Sequence, residues 1–124
     1  MIFGIGTDII DVKRVEKMVT RGKQYLETIF TEKEMEYCEA KARKSEHYAA
    51  RYAAKEAILK ALGTGWRGGL AYSDVEIINE ELGQPQVQVR GKVKNFFDHH
   101  QIQQTSISLS HTREIAIAVI ILES

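Results

Sequence analysis

Six alanines fall at positions 49, 50, 53, 54, 57 and 61, and no other stretch of this chain limits its fold more tightly. Their spacing of three and four gives a helix one thin wall, against which a neighbouring backbone can approach closely. The helix is predicted over roughly His47 to Leu62, with Ser45 as its cap and Gly63 as its terminator. It leads into a loop, Gly63 to Leu70, with glycines at 63, 65, 68 and 69 around Trp66 and Arg67.

The segment after Met1 is rich in Ile and Gly and reads as a buried strand ending near Asp8. From Asp11, the spacing of Val12, Val15, Met18 and Val19 predicts a helix closed by Gly22. Another starts at Thr31, where Glu34 completes a capping box. Strands are predicted at Val75–Asn79 and Gln86–Arg90, joined by a turn containing Gly83 and Pro85, then a short helix from Gly91 to about His100. The last two strands, Thr105–Leu109 and Ile115–Leu122, are joined by Ser110–Glu114, and the unbroken apolar run of the second suggests cover on both faces. Helices early and antiparallel strands late make an α+β arrangement, one domain over residues 1–124. Seventeen basic residues balance seventeen acidic ones, which argues against nucleic acid or a membrane surface as the general partner. The longest apolar run is far short of the ~20 residues that a membrane helix needs. With one cysteine, Cys38, and no basic leader before the first apolar stretch, the expectation is a reduced, cytoplasmic protein.

Five groups of residues have chemistry or binding to offer, and each has a plainer alternative. Asp8 ends an apolar stretch in which Gly4 and Gly6 leave room for a ligand or a backbone. Its carboxylate needs a cation or a donor if buried; the plainer reading is that Asp8 or Asp11 simply caps the next helix. Glu56 and Lys60 lie four apart on the Ala-walled helix, with Arg51 and Lys55 repeating the spacing. A carboxylate beside ammonium groups can hold Mg²⁺ together with a polyphosphate, or it can be an ordinary surface ion pair. The loop after Gly63 lacks the Walker spacing, but its N–H groups can meet an anion, unless it is simply a mobile loop. Ser106, Ser108 and Ser110 alternate with Ile107 and Leu109, so a polar strand face ending in His111 and Arg113 suits phosphate or ribose, or stands as a bare exposed face. His47, His99 and His100 read as surface residues, and the histidine spacing offers no zinc site. Lys13, Arg14, Lys17 and Arg21 recur at helical spacing around Met18, a face for an acidic protein partner or a solvated surface.

Taken together, Gly4-Ile-Gly-Thr-Asp8-Ile, Phe30-Thr31 with Glu34, Ala50-Arg-Tyr-Ala-Ala-Lys-Glu-Ala57 running into Lys60-Ala-Leu-Gly63, and Ser108-Leu-Ser-His111-Thr resemble the holo-acyl-carrier-protein synthase family of 4′-phosphopantetheinyl transferases. The resemblance spans essentially the whole chain, with Tyr52 where the family often has Phe or Trp. It implies the fold of those transferases, an antiparallel sheet with helices packed on one side. It implies transfer of the phosphopantetheine arm of coenzyme A to a serine of an acyl carrier protein, releasing adenosine 3′,5′-bisphosphate, in support of fatty acid biosynthesis. By the same resemblance, Asp8 and Glu56 hold Mg²⁺ and Lys60 neutralises charge on the phosphate. Arg51, Lys60, Gly63, Gly65, Ser108, Ser110 and His111 contact coenzyme A, while Arg14, Met18 and Arg21 meet the carrier. Whether Glu56 itself takes the serine proton stays open. The resemblance also implies a homotrimer with active sites between subunits. The rival reading is a non-catalytic module that binds a nucleotide or a partner through the Ser/His strand and the basic helix.

Overall fold

The computed structural model describes residues 1–65, 67–80 and 82–124, with no account of the Arg67 side chain. In chain order it contains β1 (Ile2–Asp11), α1 (Val12–Val19), α2 (Lys23–Leu26), α3 (Glu32–Glu39), α4 (Lys44–Leu62), a 3₁₀ turn at Tyr72–Asp74, β2 (Val75–Asn79), β3 (Pro85–Val89), α5 (Gly91–His99), β4 (Gln104–His111) and β5 (Ile115–Glu123). The α+β arrangement holds, with the strands in two antiparallel sheets: β1-β5-β4 with β5 central, and the ribbon β2-β3.

The alanine wall of α4 does what its composition promises. A Cβ built on Gly6 would lie 1.8 Å from the Ala57 carbonyl oxygen, and one on Gly4 would lie 2.0 Å from that of Ala61. Glycine is therefore obligatory at both positions because strand and helix backbones touch. The helix is buried on nearly every side, including Arg51 and Lys55, and so has no clean polar face. It starts at Lys44 with Arg43 at its cap, not at Ser45; Glu46, in its first turn, complements the dipole. Gly63 ends it in the left-handed conformation, φ 79°, as expected.

The Thr31–Glu34 capping box is present in both directions, 3.3 Å from the Glu34 N–H to Thr31 Oγ1 and 2.8 Å from the Thr31 N–H to Glu34 Oε1. Glu34 then does more than cap. Buried completely, it accepts from the Ile77 N–H at 2.9 Å and pairs with the equally buried Lys55 at 2.9 Å, tying α3, α4 and β2 together. Burial pulls the Lys55 ammonium below its ordinary pKa, with Glu34 opposing.

Two expectations about the strands need correction. β1 does not end near Asp8 but runs to Asp11, with Asp8 opposite Ala118 in mid-sheet, because pairing with β5 continues to the end of both strands. Nor are β1 and β5 covered on both faces. Ala116, Ala118, Ile120 and Leu122 are buried, whereas Ile5, Ile9 and Ile117 are 58%, 63% and 37% exposed. Helices cover only the inner face.

Candidate active site

Asp8 follows Gly4 and Gly6 on the inner face of β1, so the backbone contact that seats the strand also brings its carboxylate onto α4. Lys60 comes to meet it. The Lys60 Nζ lies 2.9 Å from Asp8 Oδ1 and donates to the Thr7 carbonyl at 3.0 Å. Of the two alternatives read for Asp8, compensation by a cation is the one realised. Asp11, not Asp8, occupies the cap of α1, and it makes no side-chain capping bond.

Glu56 stands one turn before Lys60 on α4 and is half-buried. Its Oε1 accepts a 2.6 Å hydrogen bond from the Tyr72 hydroxyl. The Tyr72 ring stacks on Tyr52, with centroids 5.6 Å apart and planes at 24°. Burial and the neighbouring Glu56 raise the Tyr72 pKa, so the phenol stays a donor. Asp8 and Lys60 thus meet where β1 lies on α4, and Glu56 stands one helical turn away. Gly63 closes the helix three residues on, its N–H shared by the Leu59 and Lys60 carbonyls, and Gly65 follows at φ 62°. Trp66, read with this loop, lies outside the described residues.

Arg51 and His111 belong to a second place. They line a cavity of about 410 Å³ together with Tyr37, His47, Asn79 and Ser108. The Arg51 guanidinium lies 4.0 Å from the Tyr37 ring centroid and donates to Asn79 Oδ1. His111 Nδ1 is 3.1 Å from Glu46 Oε1. His47 is not the surface residue expected: half-buried, it sits between Tyr37 and His111, with ring centroids 5.8 and 5.2 Å away. The continuous polar face ending in His111 is also corrected. Ser106, Ser108 and Ser110 pair with Ile121, Val119 and Ile117 on the outer face, and the next residue, His111, turns inward to α4 by strand alternation. The cavity with Arg51 and His111 is not lined by Asp8, Glu56 or Lys60. One chain therefore carries two groups of site residues and does not merge them.

Arg14 on α1 and Arg21 in the turn just after it are exposed, and Met18 is half-buried between them in the chain. The Arg14 guanidinium lies 6.0 Å from the Tyr52 ring centroid, so the basic face borders the Tyr52–Tyr72 pair beside Glu56. The sequence carried no sign of Tyr72, Tyr37 or Asn79, and of Lys55 it showed only a charge at helical spacing, not its burial against Glu34. A tyrosine in a glycine-flanked loop carries no motif, and Lys55 reads as surface charge until its helix is seen buried.

The family model described as the 4′-phosphopantetheinyl transferase superfamily matches residues 4–120. A holo-[acyl-carrier-protein] synthase of Geobacter sulfurreducens is 47% identical over 124 residues, 99% of this chain and 98% of that protein. Among solved structures, the holo-[acyl-carrier-protein] synthase of Neisseria meningitidis superposes with a TM-score of 0.90 at 30% identity, covering 100% of both chains. That of Helicobacter pylori, solved in complex with coenzyme A, gives 0.84 at 34% identity over 96% of this chain and 99% of that one. Matches of this extent take in both groups of residues, and the chain belongs to the holo-[acyl-carrier-protein] synthases of the 4′-phosphopantetheinyl transferase superfamily.

Proposed function

We propose that this chain, as a single transferase domain over residues 1–124, transfers the 4′-phosphopantetheine arm of coenzyme A to a serine of an apo acyl carrier protein, in support of fatty acid biosynthesis. The observation that carries the reading is the contact of Asp8 with Lys60 where β1 lies on α4, with Glu56 one turn before Lys60 on that helix. The serine oxygen attacks the β-phosphate, the bridging P–O bond breaks, and adenosine 3′,5′-bisphosphate leaves. Little covalent chemistry falls to the protein in such a step, so positioning and charge neutralisation dominate.

The donor set suits Mg²⁺. Asp8 and Glu56 supply hard carboxylate oxygens, and no group of three or more His, Cys, Asp or Glu is assembled for a metal among the described residues. Mg²⁺ commonly takes one or two carboxylates and completes its shell with phosphates and water. When bound, the ion would supply positive charge against the pyrophosphate. Lys60, on its flexible stem, exchanges its contact with Asp8 for the phosphate oxygen where charge develops. Glu56, beside the basic face of α1, stands ready to accept the serine proton.

The cavity of Arg51 and His111 suits the phosphates and nucleoside of coenzyme A, with Ser108, Ser110, Gly63 and Gly65 as further contacts. Arg14, Met18 and Arg21 suit an acidic carrier. A homotrimer accords with the outer face of β1 and β5, where Ile5, Ile9 and Ile117 stand open in one chain. A partner seated there gives the two groups of site residues a way to complete each other across an interface. Cytoplasmic placement accords with Cys38, a buried free thiol.

The test is the mass of the carrier. Purified protein with Mg²⁺, coenzyme A and an apo carrier is expected to add one phosphopantetheine, and Asp8→Ala or Glu56→Ala to abolish the addition with native circular dichroism. An unmodified carrier across several partners overturns the reading, as does turnover surviving both substitutions. Saturable coenzyme A binding without product would favour the binding-module alternative.

A further inference from the structure

Glu56 is asked to face a cation and an incoming hydroxyl in one orientation, yet glutamate has three rotatable bonds and sits here at the edge of solvent. What holds it is a residue to which the transfer chemistry gives no role. We propose that Tyr72 is a positioning residue for the transfer: its hydroxyl holds Oε1 of Glu56, so that the carboxylate meets cation and serine in a single orientation. The inference rests on the transferase reading above.

Three contacts fix the hydroxyl independently of Glu56. The Tyr72 ring lies against Tyr52, which is buried and one turn before Glu56 on the same face of α4. The Tyr72 carbonyl accepts from the Lys55 Nζ at 3.0 Å, and the same ammonium binds the Val75 carbonyl at the start of β2. Lys55 is itself held by Glu34 at 2.9 Å, both side chains fully buried. Beyond the turn, the Asp74 carbonyl accepts from the Arg90 N–H at 2.8 Å. The residue next to Glu56 in the chain thus clamps the backbone of the residue that hydrogen-bonds Glu56. The hydroxyl, also 3.5 Å from that of Tyr52, presents the 2.6 Å bond from a rigid assembly, and the carboxylate is what conforms to it. A tether serving only to hold the loop would need no such backing, since the Lys55 clamp already ties the turn to α4.

The experiment is Tyr72→Phe, which keeps the ring and its stack and removes one oxygen. Turnover is measured with coenzyme A and the carrier varied separately, and Mn²⁺ binding to the enzyme–coenzyme A complex is measured by electron paramagnetic resonance. Losing one hydrogen bond to a charged group should lower kcat roughly tenfold and weaken Mn²⁺ about fivefold, with the carrier KM and the melting temperature near those of the parent protein. Parent-like kcat and Mn²⁺ affinity in Tyr72→Phe overturn the inference and leave the transferase reading intact. So does a rise in carrier KM alone, which would make Tyr72 part of the docking surface. A parent protein that fails to modify any carrier overturns the transferase reading first, and the Mn²⁺ titration then still reports whether Tyr72 orients Glu56.

Discussion

Substituting Gly6 with alanine tests the contact on which the whole site is mounted. The added Cβ would lie 1.8 Å from the Ala57 carbonyl oxygen, whereas real Cβ contacts essentially never fall below 3.0 Å. Because the obstacle is helix backbone, no side chain can swing aside, and β1 must retreat from α4 by about 1.2 Å in an interior that does not compress. Overpacking of this kind costs about 3 kcal/mol, the upper part of its usual range. Asp8 is two residues along the same face and moves with the strand. A displacement of roughly 1 Å at a catalytic group can cost about a hundredfold in rate. Urea unfolding and carrier modification, measured on the same preparation, read the two effects. Gly63→Ala separates sterics from conformation: its φ of 79° disfavours alanine, but nothing lies within 4 Å of the new carbon, so only about 1 kcal/mol is expected. The reasoning is refuted if Gly6→Ala stays within about 0.5 kcal/mol of the parent protein, the scale of an ordinary surface change.

Lys55→Met should cost about 3–5 kcal/mol in urea unfolding, since it strands the buried Glu34 carboxylate, and adding Glu34→Gln should recover part of the loss. Burial, then the neighbouring His111, hold the His47 pKa below its ordinary 6.5, so the unfolded chain takes up a proton that the native one refuses. Stability should therefore be level above that value and fall as pH drops below it, and His47→Gln should flatten the melting-temperature profile between about pH 7.5 and about pH 5.5. Reversing charge on the basic face, Arg14→Glu with Arg21→Glu, should raise the carrier KM with little change in that for coenzyme A. The difference should shrink as salt is added, because these side chains are exposed.

What the sequence disclosed was local. The Thr31–Glu34 box and the Gly63 terminator are each decided within a few residues, and both were visible as spacing. The alternation of Ser and Ile in β4 was visible for the same reason. Lys55 was not, because its meaning comes from Glu34 and from carbonyls at Tyr72 and Val75, all distant in the chain. Tyr72 was hidden twice over, by its loop and by the sixteen residues separating it from Glu56. The outer faces of β1 and β5 were misread for an instructive reason. Their apolar residues do call for cover, but periodicity cannot say whether the cover comes from the same chain, and here it does not.

That open face bears on the site through the geometry of a strand. Asp8 points in toward Lys60, and Ile9, one peptide later, points out and is 63% exposed. Ile9 pairs with Ile117 and Ile5 with Ile121, so the apolar strip runs along the outer side of the same strand whose inner side presents the carboxylate. Ser106 and Ser110 border that strip from β4, opposite Ile121 and Ile117, while Ser108 also lines the cavity of Arg51 and His111. A subunit seated on the strip would press β1 against α4 where Gly4 and Gly6 already touch helix backbone, leaving Asp8 no room to drift. Assembly and catalysis would then share one element: a contact that buried the isoleucines would also fix the carboxylate on their reverse side. On this reading a homotrimer is more than a way of hiding apolar surface. It would hold the strand that carries half of the proposed metal site.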